Sequence, residues 1–377
     1  MKKMVDELTG LRGIAAGCIL LNHILLIFPI LKKTIWASCF GWFGTIGMDL
    51  FFILSGFVIC YNYADKIRAS AQNGIFAFLA ARIARLYPLY LAFILFFFIF
   101  NLCKFGWNNQ FTAHNITSLP IFLAGMQSWF YSFIGNMPVI YMQGSANISW
   151  SISTEFALYI CFIPLVWTLL RINTPKAYMV TLAFLLLIQW SWLYCCSHLN
   201  LPSSILNSIF GLHSSYTTTE WLTFHSPLAR LWEFLCGCLI ARSYTPTFTK
   251  LVQSTCSCLS PIVSIILAAG LIVSLWHPFP TRMFIIFALV TYTFSIVHAG
   301  NSLLKSKLFI YLGEISYSTY LLHIIFVQFL EYHGKHTIPY IINIPIFIIL
   351  TYITAHFVYK YYEMPMRQFV RKFLLSQ

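Results

Sequence analysis

The sequence predicts an all-α, polytopic integral membrane protein with about ten transmembrane helices and both termini on the cytoplasmic side. Three observations predict it. Of the 377 residues, 59% are hydrophobic and 9% charged, whereas soluble domains carry about 25% charged residues. Apolar runs near the ~20 residues that cross a bilayer recur along the whole chain. The basic residues collect on alternate sides of those runs. A membrane β-barrel would need recurring ~10-residue alternating segments, and none dominates.

The apolar runs give ten helices in order: Ile14–Ile30, Gly44–Tyr63, Leu86–Cys103, Ser151–Leu170, Ala177–Cys195, Leu228–Ala241, Ile262–Trp276, Met283–His298, Leu308–Leu330 and Tyr340–Tyr359. The first is long for a signal peptide, is interrupted by His23, and has no small-residue cleavage site after it, so it reads as a retained helix. Trp36-Ala-Ser-Cys39 is a poor lipoprotein-type signal, cut off from that run by Lys32 and Lys33. The segment Ile116–Phe130 is short and polar-flanked and reads as re-entrant or interfacial. No strong internal repeat appears, which disfavours an inverted-repeat transporter.

Charge sets the orientation. With the N-terminus cytoplasmic, that side holds seventeen of the 23 Lys and Arg: Lys2, Lys3, Arg12, Lys66, Arg68, Arg82, Arg85, Arg171, Lys176, Arg242, Lys250, Lys305, Lys307, Lys360, Arg367, Arg371 and Lys372. The other side keeps six, Lys32, Lys33, Lys104, Arg230, Arg282 and Lys335. This asymmetry explains the formal charge of +13 through the bilayer, with no nucleic acid required. The eleven cysteines lie mostly in or beside apolar runs, and Cys236/Cys238 and Cys256/Cys258 lack a completing zinc quartet, so no metal is expected. Two long outer loops, Lys104–Trp150 and Cys196–Pro227, are rich in aromatics and are either connectors or places for a polymeric substrate to dock.

Ionisable groups inside a membrane are costly and are functional candidates by default. Arg12 and His23, eleven residues apart, lie ~20° apart around one helix, with His23 ~16 Å above Arg12. That places His23 near the centre of a ~30 Å hydrocarbon core. Asp49, Glu155 and His323 fall at comparable depth when counted from their helix ends. Each also has a plainer reading, as a packed histidine or a helix-locking carboxylate. Arg230 and Glu233 stand at i, i+3. Arg82 and Arg85, also at i, i+3, join Arg12 at the cytoplasmic boundary. Guanidinium groups there suit either a phosphate-bearing ligand or topology and lipid headgroups.

These stretches together resemble the membrane acyltransferase-3 family, which modifies bacterial surface glycans. LTGLRGIAAGCILLNH carries its Arg-x10-His, GMDLFFILSGFVI its second-helix motif and ARIARLYPLY its Arg-x-x-Arg. WSISTEFALY, LWEFLCGCLIA, LGEISYSTYLLH and YYEMPMRQF follow in family order.

The resemblance implies a single ten-helix acyltransferase domain over residues 1–377 in a bacterial inner membrane, with no appended soluble domain. It implies an O-acyltransferase that takes an acyl group, commonly acetyl, from cytoplasmic acetyl-CoA to a hydroxyl of an outer-face carbohydrate. His23 matches the family's essential histidine, and Arg12, Arg82 and Arg85 its essential arginines.

On that basis His23 is the acid/base residue or a transient acyl carrier. Glu155 or Asp49 orients its imidazole as the third member of a triad does. Ser316, Tyr320 and His323, at i, i+4, i+7 spacing, line the acceptor path or donate hydrogen bonds. Ser55 is either a nucleophile or, more simply, a small residue for close helix approach. The competing reading is a transporter or flippase for a lipid-linked glycan or small anion.

Overall fold

The computed structural model describes residues 5–27, 29–107, 110–135, 137–199, 204–205, 208, 215–273, 282–333 and 340–376. Lys2, Lys3, Lys335 and the end of the expected seventh helix at Trp276 lie outside them. The helices are α1 (Asp6–Ile27), α2 (Trp36–Ala69), α3 (Ala71–Phe105), α4 (Gln110–Leu123), α5 (Trp150–Arg171), α6 (Pro175–Ser197) and α7 (Ser215–Glu220). They continue with α8 (Pro227–Ser243), α9 (Pro246–Val273), α10 (Arg282–Ala299), α11 (Lys307–Glu314), α12 (Ser316–His333), α13 (Tyr340–Val358) and α14 (Met364–Leu375). A two-residue hairpin, β1 (Phe133–Ile134) with β2 (Met137–Pro138), decorates the loop after α4.

Among the described residues, eight helices are long and apolar enough to cross a membrane, or nine if α11 and α12, bent by 65° at Ile315, count as one span. The chain is therefore an all-α, multi-pass membrane protein. The sixth expected crossing is α8, whose 17 residues include Arg230 and Glu233, both buried. Two ionisable groups in so short a helix lower its hydropathy below that of its neighbours.

Several helices outrun their apolar cores. α3 begins at Ala71, not at Leu86, because the run AQNGIFAFLAARIAR, diluted by Gln, Asn, Gly and two Arg, is less apolar than a membrane span yet rich in good helix formers. At 35 residues it is ~52 Å long, well beyond the ~30 Å hydrocarbon core. Arg82 and Arg85 consequently lie inside a helix rather than ahead of one. The re-entrant segment expected over Ile116–Phe130 is the 14-residue α4, ~21 Å long and too short to cross.

The chain forms two compact units, residues 1–69, 168–183 and 233–361 in one, and 70–167, 184–232 and 362–377 in the other. In the first, α1 packs against α2, α11 and α12, and glycines set the spacing. A methyl group on Gly313 would come within 1.7 Å of the Thr9 carbonyl oxygen. One on Gly13 would meet the Gly313 nitrogen at 2.9 Å, and one on Gly10 the Leu304 carbonyl at 2.3 Å.

α2 meets α1 through Gly47, which faces the Ala15 carbonyl, and meets α8 through Gly56 and Gly237, each abutting the other helix's backbone. Close backbone approach of this kind lets apolar helices associate in lipid, where burial alone gives little driving force. In LSGF the small residue at this contact is Gly56, next to Ser55. Lys305, in the turn before α11, binds Glu7 of α1 at 2.9 Å, and this carboxylate holds its ammonium above the usual range.

In the second unit, the loop after α3 is held by polar contacts. Gln143, buried and in the left-handed region at φ 65°, donates its amide to Ser118 Oγ at 3.0 Å and its backbone N–H to Asn115 Oδ1 at 3.0 Å. Its own carbonyl accepts from Asn101 at the end of α3.

The glycine contacts predict that Gly313→Ala lowers the melting temperature of the detergent-solubilised protein by several degrees and reduces its membrane abundance. Gly41, with open space around it, should accept alanine with no loss, since alanine is the better helix former by ~1 kcal/mol. An unchanged melting point for Gly313→Ala would contradict the backbone contact.

Candidate active site

α1 and the α11–α12 pair meet in register. Gly13 lies against Gly313, and ten residues further along each chain His23 lies against His323, with Nδ1 of His23 3.1 Å from Nε2 of His323. Their ring centroids are 4.7 Å apart. His323 is buried, as are Ser316 and Tyr320 on the same face of α12, while His23 is half-buried. Tyr320 packs edge-on to Phe51 of α2. Ser316 donates to the Gly313 carbonyl at 2.7 Å, satisfying an orphan acceptor where the helix bends.

The contacts of His23 define its tautomer. Nδ1 is 2.9 Å from the Ile19 carbonyl oxygen, which can only accept, so Nδ1 carries the proton and Nε2 keeps its lone pair. His323 then receives the same N–H on its Nε2. Its own proton sits on Nδ1, toward the Thr319 and Tyr320 carbonyls. A neutral imidazole held this way presents one basic nitrogen in a fixed direction, with a second imidazole behind it.

Asp49 is fully buried and grips Arg282 at the start of α10. Arg282 Nη2 donates to Asp49 Oδ1 at 2.9 Å and to Glu233 Oε1 at 2.6 Å, and its Nε to Asp49 at 3.2 Å. Two carboxylates on one guanidinium tie α2, α8 and α10 together. Sequence depth alone put Asp49 level with His23. The register of α1 on α2, with Gly44 at Asn22 and Gly47 at Ile19 and Ala15, sets Asp49 ~10 Å nearer the Arg12 end. Sequence reasoning missed Arg282 because it was counted only as an outer-loop charge. The rule that singled out Glu233 applies equally to an arginine opening an apolar run.

In the second unit, Glu155 accepts a hydrogen bond from Tyr159, one turn later on α5, at 2.6 Å. Tyr159 is buried and lies within electrostatic reach of both Arg82 and Arg85 on α3. The i, i+4 spacing of Glu155 and Tyr159 was legible, but the tyrosine's place beside the arginines was not.

The front of the WSISTEFALY stretch has a different task. Ser153 Oγ accepts from Ser128, and Thr154 donates to the His225 carbonyl at 2.7 Å, fastening the segments before α5 and before α8 to α5. Arg12 is half-buried on α1. The structure thus brings His23 together with His323, Arg82 and Arg85 together with Tyr159 and Glu155, and Asp49 together with Arg282 and Glu233. Among the described residues, no cluster of three or more His, Cys, Asp or Glu has a metal-holding arrangement.

The chain is thus a multi-pass helical membrane protein with an oriented histidine pair in one unit and two arginines beside a buried tyrosine in the other. The family model described as an acyltransferase domain matches residues 5–360, and the chain belongs to that acyltransferase-3 family.

Two curated proteins are similar over shorter stretches. Acyltransferase MdmB of Streptomyces mycarofaciens is 30% identical over 171 residues, 44% of this chain and 40% of that protein. Protein 2 in the picA locus of Rhizobium radiobacter is 39% identical over 83 residues, 22% of this chain and 38% of that protein. The chain thus matches less than half the length of either relative. No solved structure matches it.

Removing the guanidinium of the buried triad should be costly. Arg282→Met leaves two buried carboxylates facing each other and should destabilise the solubilised protein by about 3–5 kcal/mol. Adding Glu233→Gln should recover part of that loss. Thermal unfolding of the three proteins measures it, and a wild-type midpoint for Arg282→Met would refute the pairing.

Proposed function

We propose that this acyltransferase moves an acetyl group from cytoplasmic acetyl-CoA to a hydroxyl of a cell-surface carbohydrate, O-antigen or another lipid-linked glycan or polysaccharide, in a bacterial cytoplasmic membrane. The observation that carries the proposal is the orientation of His23, whose basic Nε2 is set by the Ile19 carbonyl and by His323. Membership of an acyltransferase family supports it. So does the printed name of the Streptomyces relative, itself an acyltransferase. In this reading the chain is one membrane domain of ten crossings, α8 included, with both termini cytoplasmic, as the charge asymmetry favours.

The chemistry follows from the residues. Nε2 of His23 removes the proton from the acceptor hydroxyl as its oxygen attacks the thioester carbonyl. The carbon–sulfur bond breaks, and the imidazolium returns that proton to the departing thiolate, giving an ester and free CoA thiol. His323 steadies the ring by accepting on its Nε2 from the Nδ1–H of His23, the place a carboxylate holds in a hydrolase triad.

Arg12, Arg82 and Arg85 are assigned to the donor's phosphates, each offering a charged fork that matches phosphate oxygens. Glu155, through Tyr159, keeps the second-unit arginines in a polar setting. Asp49 acts on α2 through Arg282, and Ser316 and Tyr320 shape the wall beside His323.

The test is transfer of labelled acetyl groups from acetyl-CoA in vesicles of purified protein. His23→Ala should abolish product at normal protein level while CoA still binds, and an active His23→Ala protein would overturn the base assignment. His323→Gln should lower kcat about tenfold with the donor KM unchanged, general-base steps being worth ~10²–10⁴ in rate. A wild-type protein that moves its ligand but forms no ester would mark a transporter instead.

A further inference from the structure

The last helix, α14, packs along α3 in the second unit. The hydroxyl of Tyr362, in the π-helical turn Tyr359–Glu363 that leads directly into α14, donates to the Pro88 carbonyl at 3.2 Å and ties the start of α14 to that level of α3. On α3, Pro88 separates the polar N-terminal turns from the phenylalanine-rich run Phe93–Phe100. On the other helix, the chain turns from apolar to basic just past Tyr362, with Arg367, Arg371 and Lys372. Only an antiparallel course keeps those three cations away from the apolar half of α3, where an unpaired charge is expensive. α14 therefore runs back along the turns that bear Arg82 and Arg85.

Helical rise then gives the heights. Arg85 and Arg82 lie ~4.5 and ~9 Å below Pro88, and Arg367 lies ~7.5 Å below Tyr362, between them. The α3-facing side of α14 follows from exposure. Glu363 is buried and Arg367, Val370 and Leu374 are half-buried at i, i+4, i+7 and i+11, while Gln368, Arg371 and Lys372 are exposed. Glu363 precedes Arg367 by four residues, the favourable order for an acid–base pair on a helix. Three arginines against two carboxylates, Glu155 and Glu363, leave this group of side chains positive.

We propose that Arg367 is a further phosphate ligand, acting with Arg82 and Arg85 on the phosphate groups of the acyl-CoA donor. The inference rests on the donor reading above. Shared phosphate chemistry also admits an anionic lipid headgroup, so the experiment separates the two.

CoA and 3′-dephospho-CoA are titrated calorimetrically into the full protein in zwitterionic phosphatidylcholine nanodiscs, with a parallel set containing phosphatidylglycerol. Arg367→Gln should weaken CoA binding about tenfold, the scale of one lost charge-assisted hydrogen bond. Arg367→Lys should recover part of it, and exposed Arg371→Gln should bind as wild type. A loss seen with CoA and not with 3′-dephospho-CoA would assign Arg367 to the ribose phosphate, and an equal loss with both to the diphosphate.

Wild-type affinity in Arg367→Gln overturns the inference while leaving the donor reading intact. So does an equal loss in Arg371→Gln, or an effect confined to phosphatidylglycerol discs. Absence of CoA binding by the wild-type protein overturns the donor reading itself.

Discussion

Backbone-to-backbone contact between α1 and α11 is the constraint on which the rest of the first unit depends. Gly313 sits so close to the Thr9 carbonyl that no side chain fits between them, and Gly10 and Gly13 extend the contact along α1. With the two chains fixed at that point, ten residues of rise on each bring His23 and His323 together. The two imidazoles depend on the glycines for their meeting. A side-chain-spaced crossing, at the usual 8–10 Å between helix axes, would part them beyond hydrogen-bond reach.

Ion pairing follows a consistent logic. A charge within the hydrocarbon region needs a partner, and in the first unit two such partnerships run between helices. Arg282 joins α2, α8 and α10 through Asp49 and Glu233. Arg242 reaches Asp65 at the far end of α2. Asp49 therefore does more for the placement of α2 than a lone carboxylate at its depth suggests. The same charges that lower the hydropathy of α8 are those that hold it in place.

Composition and periodicity were enough to read an all-helical membrane protein, and the alignment of Arg12 with His23 came from helical geometry alone. The extent of α2 and α3 was not legible, because their ends mix small, aromatic and polar residues that are helical through propensity and packing while a hydropathy scale registers only the most apolar stretch. Relative depth was legible to about a turn or two, which sufficed to group Asp49 with His23 but not to separate them. Partners from distant sequence were the hardest to foresee. Arg282 lies 233 residues from Asp49, and no spacing rule links such positions. His323 was expected on the acceptor side of the chemistry, and only the register between helices set its ring behind His23.

The segment between α4 and α5 in the second unit is fastened by buried polar side chains. Gln143 binds Asn115, Ser118 and Asn101, while Gln127 and Ser128 hold the start of α5 through Ser149 and Ser153. Between these anchors lies the hairpin at Phe133–Pro138, whose strand residues are half-buried rather than buried. Such an arrangement separates inheritance of the helical frame from drift at the surface. Lineages can lengthen, shorten or recolour the hairpin and leave the imidazole pair untouched, because the two are built from different stretches of the chain.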